Sequence, residues 1–169
     1  MASTEEVAAF NAMPAADVEA RLYECLANRV WAARVAAGRP YETVADVLRE
    51  ADAAWAAMND TDWLQAFAAH PRIGEGGGEA PATSEREQSA VIAAPTQTLD
   101  ALAAENRAYE ERFGHVFLIA AAGRSADEIL AELRRRMTND AATELQEATG
   151  EQRKITRLRL RKLVTEGAA

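Results

Sequence analysis

The sequence predicts an all-α fold, a single-domain compact bundle of about eight helices. Alanine is abundant, and leucine, glutamate and arginine are common. These are strong helix formers, while the β-branched and aromatic residues that favour strands are sparse. Apolar residues also recur three and four apart, as in Val44, Val47, Leu48, Ala51, Trp55 and Met58, which is one face of an amphipathic helix. Glycines and prolines fall between such runs rather than inside them. A chain of 169 residues suits one core,.

Pro14 suits a first turn, and Val18, Leu22 and Leu26 follow at helical spacing,. A short helix around Trp31 ends near Gly38, because Arg39-Pro40 cannot continue it,. Thr43 caps the helix that carries the Val44 to Met58 stripe,. Asp60 or Thr61 restarts a helix with Trp63, Leu64 and Phe67, which stops at His70 because Pro71 follows,. Residues 71–83 are rich in glycine and proline and read as loop,. Ser84 opens the next helix and Pro95 closes it; Thr98 opens another, which Gly114 terminates,. The run Val116-Phe117-Leu118-Ile119 is too short for its periodicity to choose between extended and helical,. Ser125 with Glu128 is a capping-box pattern for a helix to about Met137, and a long helix runs from about Asp140 to Val164,.

The formal charge of −8 argues against nucleic acid and anionic membranes as partners, since both need a basic face,. One cysteine, Cys25, cannot form an internal disulfide and reads as core,. Two histidines, His70 and His115, are too few for a His-rich metal site, so no metal site is expected,. No apolar run approaches the roughly 20 residues of a membrane span. The first residues are acidic, without a signal-peptide layout, and a cytoplasmic location is the expectation,.

A few residues break their local pattern. On a wheel of the last helix, Leu145, Ala148, Ile155 and Leu163 define an inner arc, and Arg153, Lys154, Arg157 and Arg161 an outer one,. Arg159 falls near the centre of the apolar face, with Gln152 beside it. A buried guanidinium needs a partner, so Arg159 reads either as half of an internal ion pair or as a ligand-binding residue. His70 reads either as a helix C-terminal cap or as a general acid at a loop mouth. Ser84 with Glu87 is a capping box, which explains both residues without any further role. The run Arg134-Arg135-Arg136 alternates with acids along its helix and reads as mostly solvated face,.

In order along the chain, these segments resemble the OHCU (2-oxo-4-hydroxy-4-carboxy-5-ureidoimidazoline) decarboxylase family. The resemblance is carried by Phe67-Ala68-Ala69-His70-Pro71-Arg72-Ile73-Gly74 and by Ser84-x-x-Glu87-Gln88. It continues through Asn106-Arg107-Ala108-Tyr109, Arg112-Phe113-Gly114, Phe117-Leu118-Ile119, Arg136-Met137-x-Asn139 and Glu144-Leu145. Lys154-Ile155-x-x-Leu158-Arg159-Leu160 completes it, with Phe10-Asn11 and Arg39-Pro40-Tyr41 towards the N-terminus. It spans about residues 10–164 of a domain taken as 1–169. Two departures stand out: Tyr41 occupies a position where phenylalanine is common, and the stretch Glu75 to Ala80 falls in a variable region.

The resemblance implies an all-helical homodimer that converts OHCU to (S)-allantoin with loss of carbon dioxide, the last step from urate, without a cofactor. It implies that His70 is the catalytic proton donor, that Glu87 orients it, and that Arg159 binds an anionic or carbonyl oxygen. It places Pro71, Ser84, Glu85, Arg86, Glu87 and Gln88 around substrate. It adds Phe117, Ile119, Ala120, Ala121, Ala122 and Gly123, the small residues letting a flat ring approach the backbone. Two other readings are a catalytically inactive helical binding module and a helical DNA-binding regulator. Intact His70, Glu87 and Arg159 oppose the first, and the acidic balance opposes the second,.

Overall fold

The computed structural model describes residues 2–75 and 81–167, and most of the glycine-rich stretch, residues 76–80, lies outside them. The described residues form eleven helices and no strand. In order these are α1 (Ala2–Glu6), α2 (Ala8–Ala12), α3 (Ala15–Cys25), α4 (Arg29–Ala37), α5 (Val44–Ala56) and α6 (Asp60–Ala68). Then follow α7 (Pro81–Glu87), α8 (Ser89–Ile92), α9 (Thr96–Phe113), α10 (Ala126–Arg136) and α11 (Ala141–Glu166). The all-α class agrees with the sequence. The count exceeds the expected eight because two short helices precede Pro14 and the helix expected from Ser84 to Pro95 is broken at Gln88. No helix among the described residues is long and apolar enough to cross a membrane.

Two compact units divide the chain. The first takes the residues up to Ala66 and those from Ile155 onward; the second is Phe67–Lys154.

Capping side chains fix the helix starts in the first unit. Asn28 accepts from the Trp31 amide at 2.8 Å and starts α4. Thr43 and Asp46 form a reciprocal capping box on α5,. The Thr43 hydroxyl holds the Asp46 carboxyl below its usual range. Asn59, rather than Asp60 or Thr61, accepts from the Asp62 amide and opens α6. The core joins Phe10, Val18, Leu22, Trp31, Val35, Val47 and Leu48 to Leu160 and Val164 of α11. Trp31 donates its indole N–H to the Ala51 carbonyl at 3.1 Å, so its one polar atom is satisfied when buried,.

Gly38 stands at the end of α4 with ordinary right-handed dihedrals, φ −71° and ψ −10°. Its need is for space. A Cβ built there would lie 2.2 Å from the Tyr41 hydroxyl oxygen and 2.7 Å from the ring carbon that bears it. That hydroxyl donates to the Val35 carbonyl at 2.7 Å. Burial, with the Glu50 charge adding to it, pushes the phenol up to about 12. Tyr41 thus closes an orphan carbonyl at a helix end,. Gly38→Ala forces the ring or the helix end to move. The expected outcome is a loss of about 1–3 kcal/mol in urea unfolding, and an unchanged midpoint would contradict the steric reading.

In the second unit, α9 begins two residues before Thr98, because Pro95 takes the N-cap position and presets the entry dihedrals,. Gly114 ends it with φ +80°, as expected for a left-handed C-cap,. Ser125 accepts from the Glu128 amide at 3.2 Å and caps α10. Residues 115–121 between them have no helical or strand pairing, yet Phe117, Leu118 and Ile119 are buried.

One member of the arginine run is the exception to its mostly solvated face. Arg134 and Arg135 are exposed, but Arg136 is 1% exposed, in register with the buried Ile129 and Leu133. It donates from Nε at 2.8 Å and from Nη2 at 2.5 Å to Oε1 of Glu144, which is fully buried. Its Nη1 donates to the Leu118 carbonyl at 2.7 Å. The guanidinium carbon lies 4.5 Å from the centre of the Phe117 ring. The Tyr109 hydroxyl donates to the same Glu144 oxygen, and burial first, then that bond, raises the phenol pKa. Asn139 donates to the other Glu144 oxygen at 3.0 Å. Removing one partner strands a buried charge. Arg136→Met and Glu144→Gln are each expected to destabilise by about 3–5 kcal/mol. Arg136→Met combined with Glu144→Leu should cost less than the sum of the two single changes, read as a double-mutant cycle in urea.

Candidate active site

His70 lies two residues beyond α6, where Pro71 prevents a further turn,. Its amide donates to the Phe67 carbonyl at 3.1 Å, and the Phe67 ring beneath is fully buried. The imidazole is half-buried, and its Nε2 lies 2.7 Å from Oε1 of Gln152 on α11.

The loop after His70 is tied down at three successive residues. Arg72 makes a forked pair with Glu110 of α9 at 2.7 and 3.1 Å, a bond that raises the guanidinium pKa. The Ile73 carbonyl accepts from the buried Asn106 amide at 3.0 Å, and the Ile73 side chain enters the core. The Gly74 amide donates to Oε1 of the buried Gln88 at 2.9 Å. Gly74 has φ +89°, a region that favours glycine,. The motif from His70 to Gly74 is therefore a held loop, and the expected site residue Gln88 is tied to it at Gly74.

Ser84 does not open its helix, which corrects the capping-box reading. The helix begins at Pro81, a favoured first-turn residue, so Ser84 sits in its interior and its carbonyl accepts from the Gln88 amide at 3.0 Å,. Ser84 and Gln88, one turn apart, are both buried; Glu87 is half-buried and Glu85 and Arg86 are exposed. Phe117 is a core ring beneath Arg136, 5.2 Å from Tyr109. Ile119 and Ala121 are buried, Ala120 is half-buried, and Ala122 and Gly123 are exposed. Gly123 has φ +78° and sits in a turn that the Arg124 amide closes onto the Ala121 carbonyl at 3.0 Å. Arg124 and Lys154 both pair with Glu151 of α11, at 4.0 and 2.9 Å.

Arg159 belongs to the part of α11 in the first unit, apart in the chain's division from the residues above. The wheel puts it at the centre of an apolar face, but it is half-buried, and Nη1 donates to the Glu24 carbonyl at 3.3 Å. The buried face is instead made by Glu144, Ala148, Gln152, Ile155, Leu160 and Val164, while Leu145 and Leu163 are half-buried. Arg157 also leaves the predicted outer arc and pairs with Asp52 at 2.5 Å.

Gln152 went unassigned in the sequence. A neutral amide gives neither a charge nor an apolar signal, although its place beside the apolar arc was visible.

An all-helical chain with an imidazole on a held loop, flanked by buried carboxamides, defines a candidate acid–base enzyme. The OHCU decarboxylase family model matches residues 11–161, across both units, and the chain belongs to that family. It is 34% identical over 150 residues to a uric acid degradation bifunctional protein of Arabidopsis thaliana, covering 85% of this chain and 46% of that one. It is 28% identical over 146 residues to the 2-oxo-4-hydroxy-4-carboxy-5-ureidoimidazoline decarboxylase of Haloferax volcanii, covering 85% of each. Against the bifunctional relatives the chain spans half of their length or less, 46% in one case and 28% in another. Its fold is similar to a crystal structure of OHCU decarboxylase in the presence of (S)-allantoin. The TM-score is 0.76 at 33% identity, over 86% of this chain and 97% of that one.

Proposed function

We propose that this protein decarboxylates OHCU to (S)-allantoin and that His70 supplies the proton. The observation that carries the reading is the His70–Gly74 loop, held at Arg72, Ile73 and Gly74 within a chain of this family. In the reaction the bond from the ring carbon to the carboxylate breaks and carbon dioxide leaves. The electron pair forms a double bond to the neighbouring ureido-bearing carbon and displaces the imine pair onto nitrogen, which takes a proton. The hydroxyl on the first carbon then gives up its proton to become the carbonyl as the ureido-bearing carbon takes up a proton on one face. The substrate is its own electron sink. The protein has to orient it, donate hydrogen bonds to the developing charge and deliver the proton. His70 is the proton source, with Glu87 favouring its charged form. Pro71, Ser84, Gln88 and the backbone of residues 119–123 surround the heterocycle, with Glu85, Arg86 and Phe117 in the same segments. Arg159 takes a substrate oxygen. The resemblance further supports a cofactor-free homodimer working in the cytoplasm, which light scattering of the purified chain tests for the dimer.

The decisive assay follows the optical decay of freshly generated OHCU. Decay should be accelerated by the protein after exhaustive chelation. His70→Ala and His70→Asn should slow turnover by about 100-fold or more. Stability should change by about 1 kcal/mol or less, since the imidazole is only half-buried,. Near-normal turnover in folded variants removes His70 from the chemistry, and activity that is lost to chelator and restored by zinc removes the cofactor-free reading.

Arg159→Met separates binding from structure. Methionine keeps an apolar stem but cannot pair with an oxyanion, and Arg159→Lys loses the planar fork. Both should lose most turnover, with a melting temperature within a few degrees of the parent. A large drop in melting temperature with full specific activity in the folded fraction makes Arg159 structural.

A further inference from the structure

Charge is unevenly spread along this chain. Between Gln152 and Thr165, α11 carries six cations, Arg153, Lys154, Arg157, Arg159, Arg161 and Lys162, and no acid. The other residues hold 13 cations against 27 acids, a formal −14. Glu151 and Glu166 bracket the stretch. Carboxylates meet two of its cations, since Lys154 pairs with Glu151 and Arg157 with Asp52. Arg161 and Lys162 are exposed and form no ion pair among the described residues. Leu158, one turn before them, is 50% exposed, so this part of α11 faces solvent as a basic stripe.

An acidic protein repels an anionic substrate, and OHCU carries a carboxylate. A local field of opposite sign is needed to bring it in. We propose that the basic stripe of α11 gathers small carboxylates from solution and delivers them to Arg159 on the same helix. That the carboxylate is OHCU rests on the proposed function; the gathering of anions does not. Arg161 and Lys162 follow Arg159 by two and three residues, which puts their charges about 10 Å from an anion held there. Their effect is a long-range attraction, which acts on the approach of substrate and not on the chemical step. The carboxylate leaves as carbon dioxide and the organic product is uncharged, so the field that draws substrate in does not retain product. The stripe therefore lowers KM and leaves kcat alone.

Arg161→Gln combined with Lys162→Gln removes two exposed charges. In about 10 mM salt, where the Debye length is about 30 Å, it should raise KM for OHCU about threefold. Arg161→Glu combined with Lys162→Glu doubles the change in charge and should raise KM about tenfold. In both, kcat should stay within about twofold of the parent, because neither residue touches the reacting atoms. In about 1 M salt the Debye length falls to about 3 Å, and the differences in KM should vanish. A readout without turnover uses a carboxylate-bearing nitroxide and its neutral carboxamide analogue. In the parent protein at low salt, the carboxylate probe should relax the backbone amides of residues 157–163 more than the neutral one does. That preference should disappear in the double glutamate variant.

A rise in KM that survives high salt, or the same salt dependence in parent and variants, overturns the proposal. Equal relaxation by the two nitroxides in the parent protein overturns it whether or not OHCU is turned over. If the carboxylate nitroxide gathers along α11 but the parent protein does not turn over OHCU, the proposed function fails and the anion-gathering stripe stands.

Discussion

The Arg136–Glu144 pair is the constraint on which the second unit rests. Both groups are almost wholly removed from water, which costs several kcal/mol per ion before any attraction is counted. The cost is offset only because nearly every polar atom is used. Arg136 spends three nitrogens on Glu144 and the Leu118 carbonyl, and Glu144 also receives Tyr109 and Asn139. The groups of this network come from α9, α10, α11, the irregular segment between α9 and α10, and the link between α10 and α11. Five pieces of chain must therefore be in register before the pair is satisfied. An apolar cluster would tolerate a slip along α11, whereas a forked guanidinium does not.

That register is what the histidine needs. Gln152 stands eight residues after Glu144 on one unbroken helix, so the ion pair that fixes Glu144 also fixes the axial position of Gln152. On the other side, Tyr109 and Asn106 are a turn apart on α9, and Asn106 holds the Ile73 carbonyl three residues beyond His70. The imidazole is thus located from both ends, by its loop through α9 and by its ring through α11. Both supports lead back to Glu144. The proposed general acid, His70, would lose much of its effect if displaced by about 1 Å, and on that proposal the costly pair has a physical reason to be in this unit.

How much of this was legible in the sequence depended on the kind of signal. Helix starts and stops written in backbone chemistry were readable: Thr43, Ser125 and Gly114 behave as their side chains, or lack of one, require. Ser84 misled because the same pattern that caps a helix also fits inside one, and Pro81 starts the helix earlier. Arg136 was hidden by its neighbours, since a run of three arginines looks solvated even though the third is in step with Ile129 and Leu133. The wheel of α11 failed for a different reason. It assumes one buried direction along the helix, but α11 serves two units, and its buried face turns from Ala148 and Gln152 towards Leu160 and Val164. Arg159 lies where that face is turning, which is why an apparent central position is only half-buried.

The same change of face explains how a neutral residue came to matter. Along a helix that packs one way throughout, a buried glutamine is an unfavourable choice, because its amide must find partners that an apolar residue does not need. Leucine or valine would fill the position more cheaply. Gln152 is retained in full burial beside a half-buried imidazole whose Nε2 it meets. The hydrogen bond adds about 1 kcal/mol at most to stability, so stability alone does not select it. What it adds is direction, because its amide oxygen meets Nε2 of His70 at 2.7 Å, a contact that no apolar side chain makes.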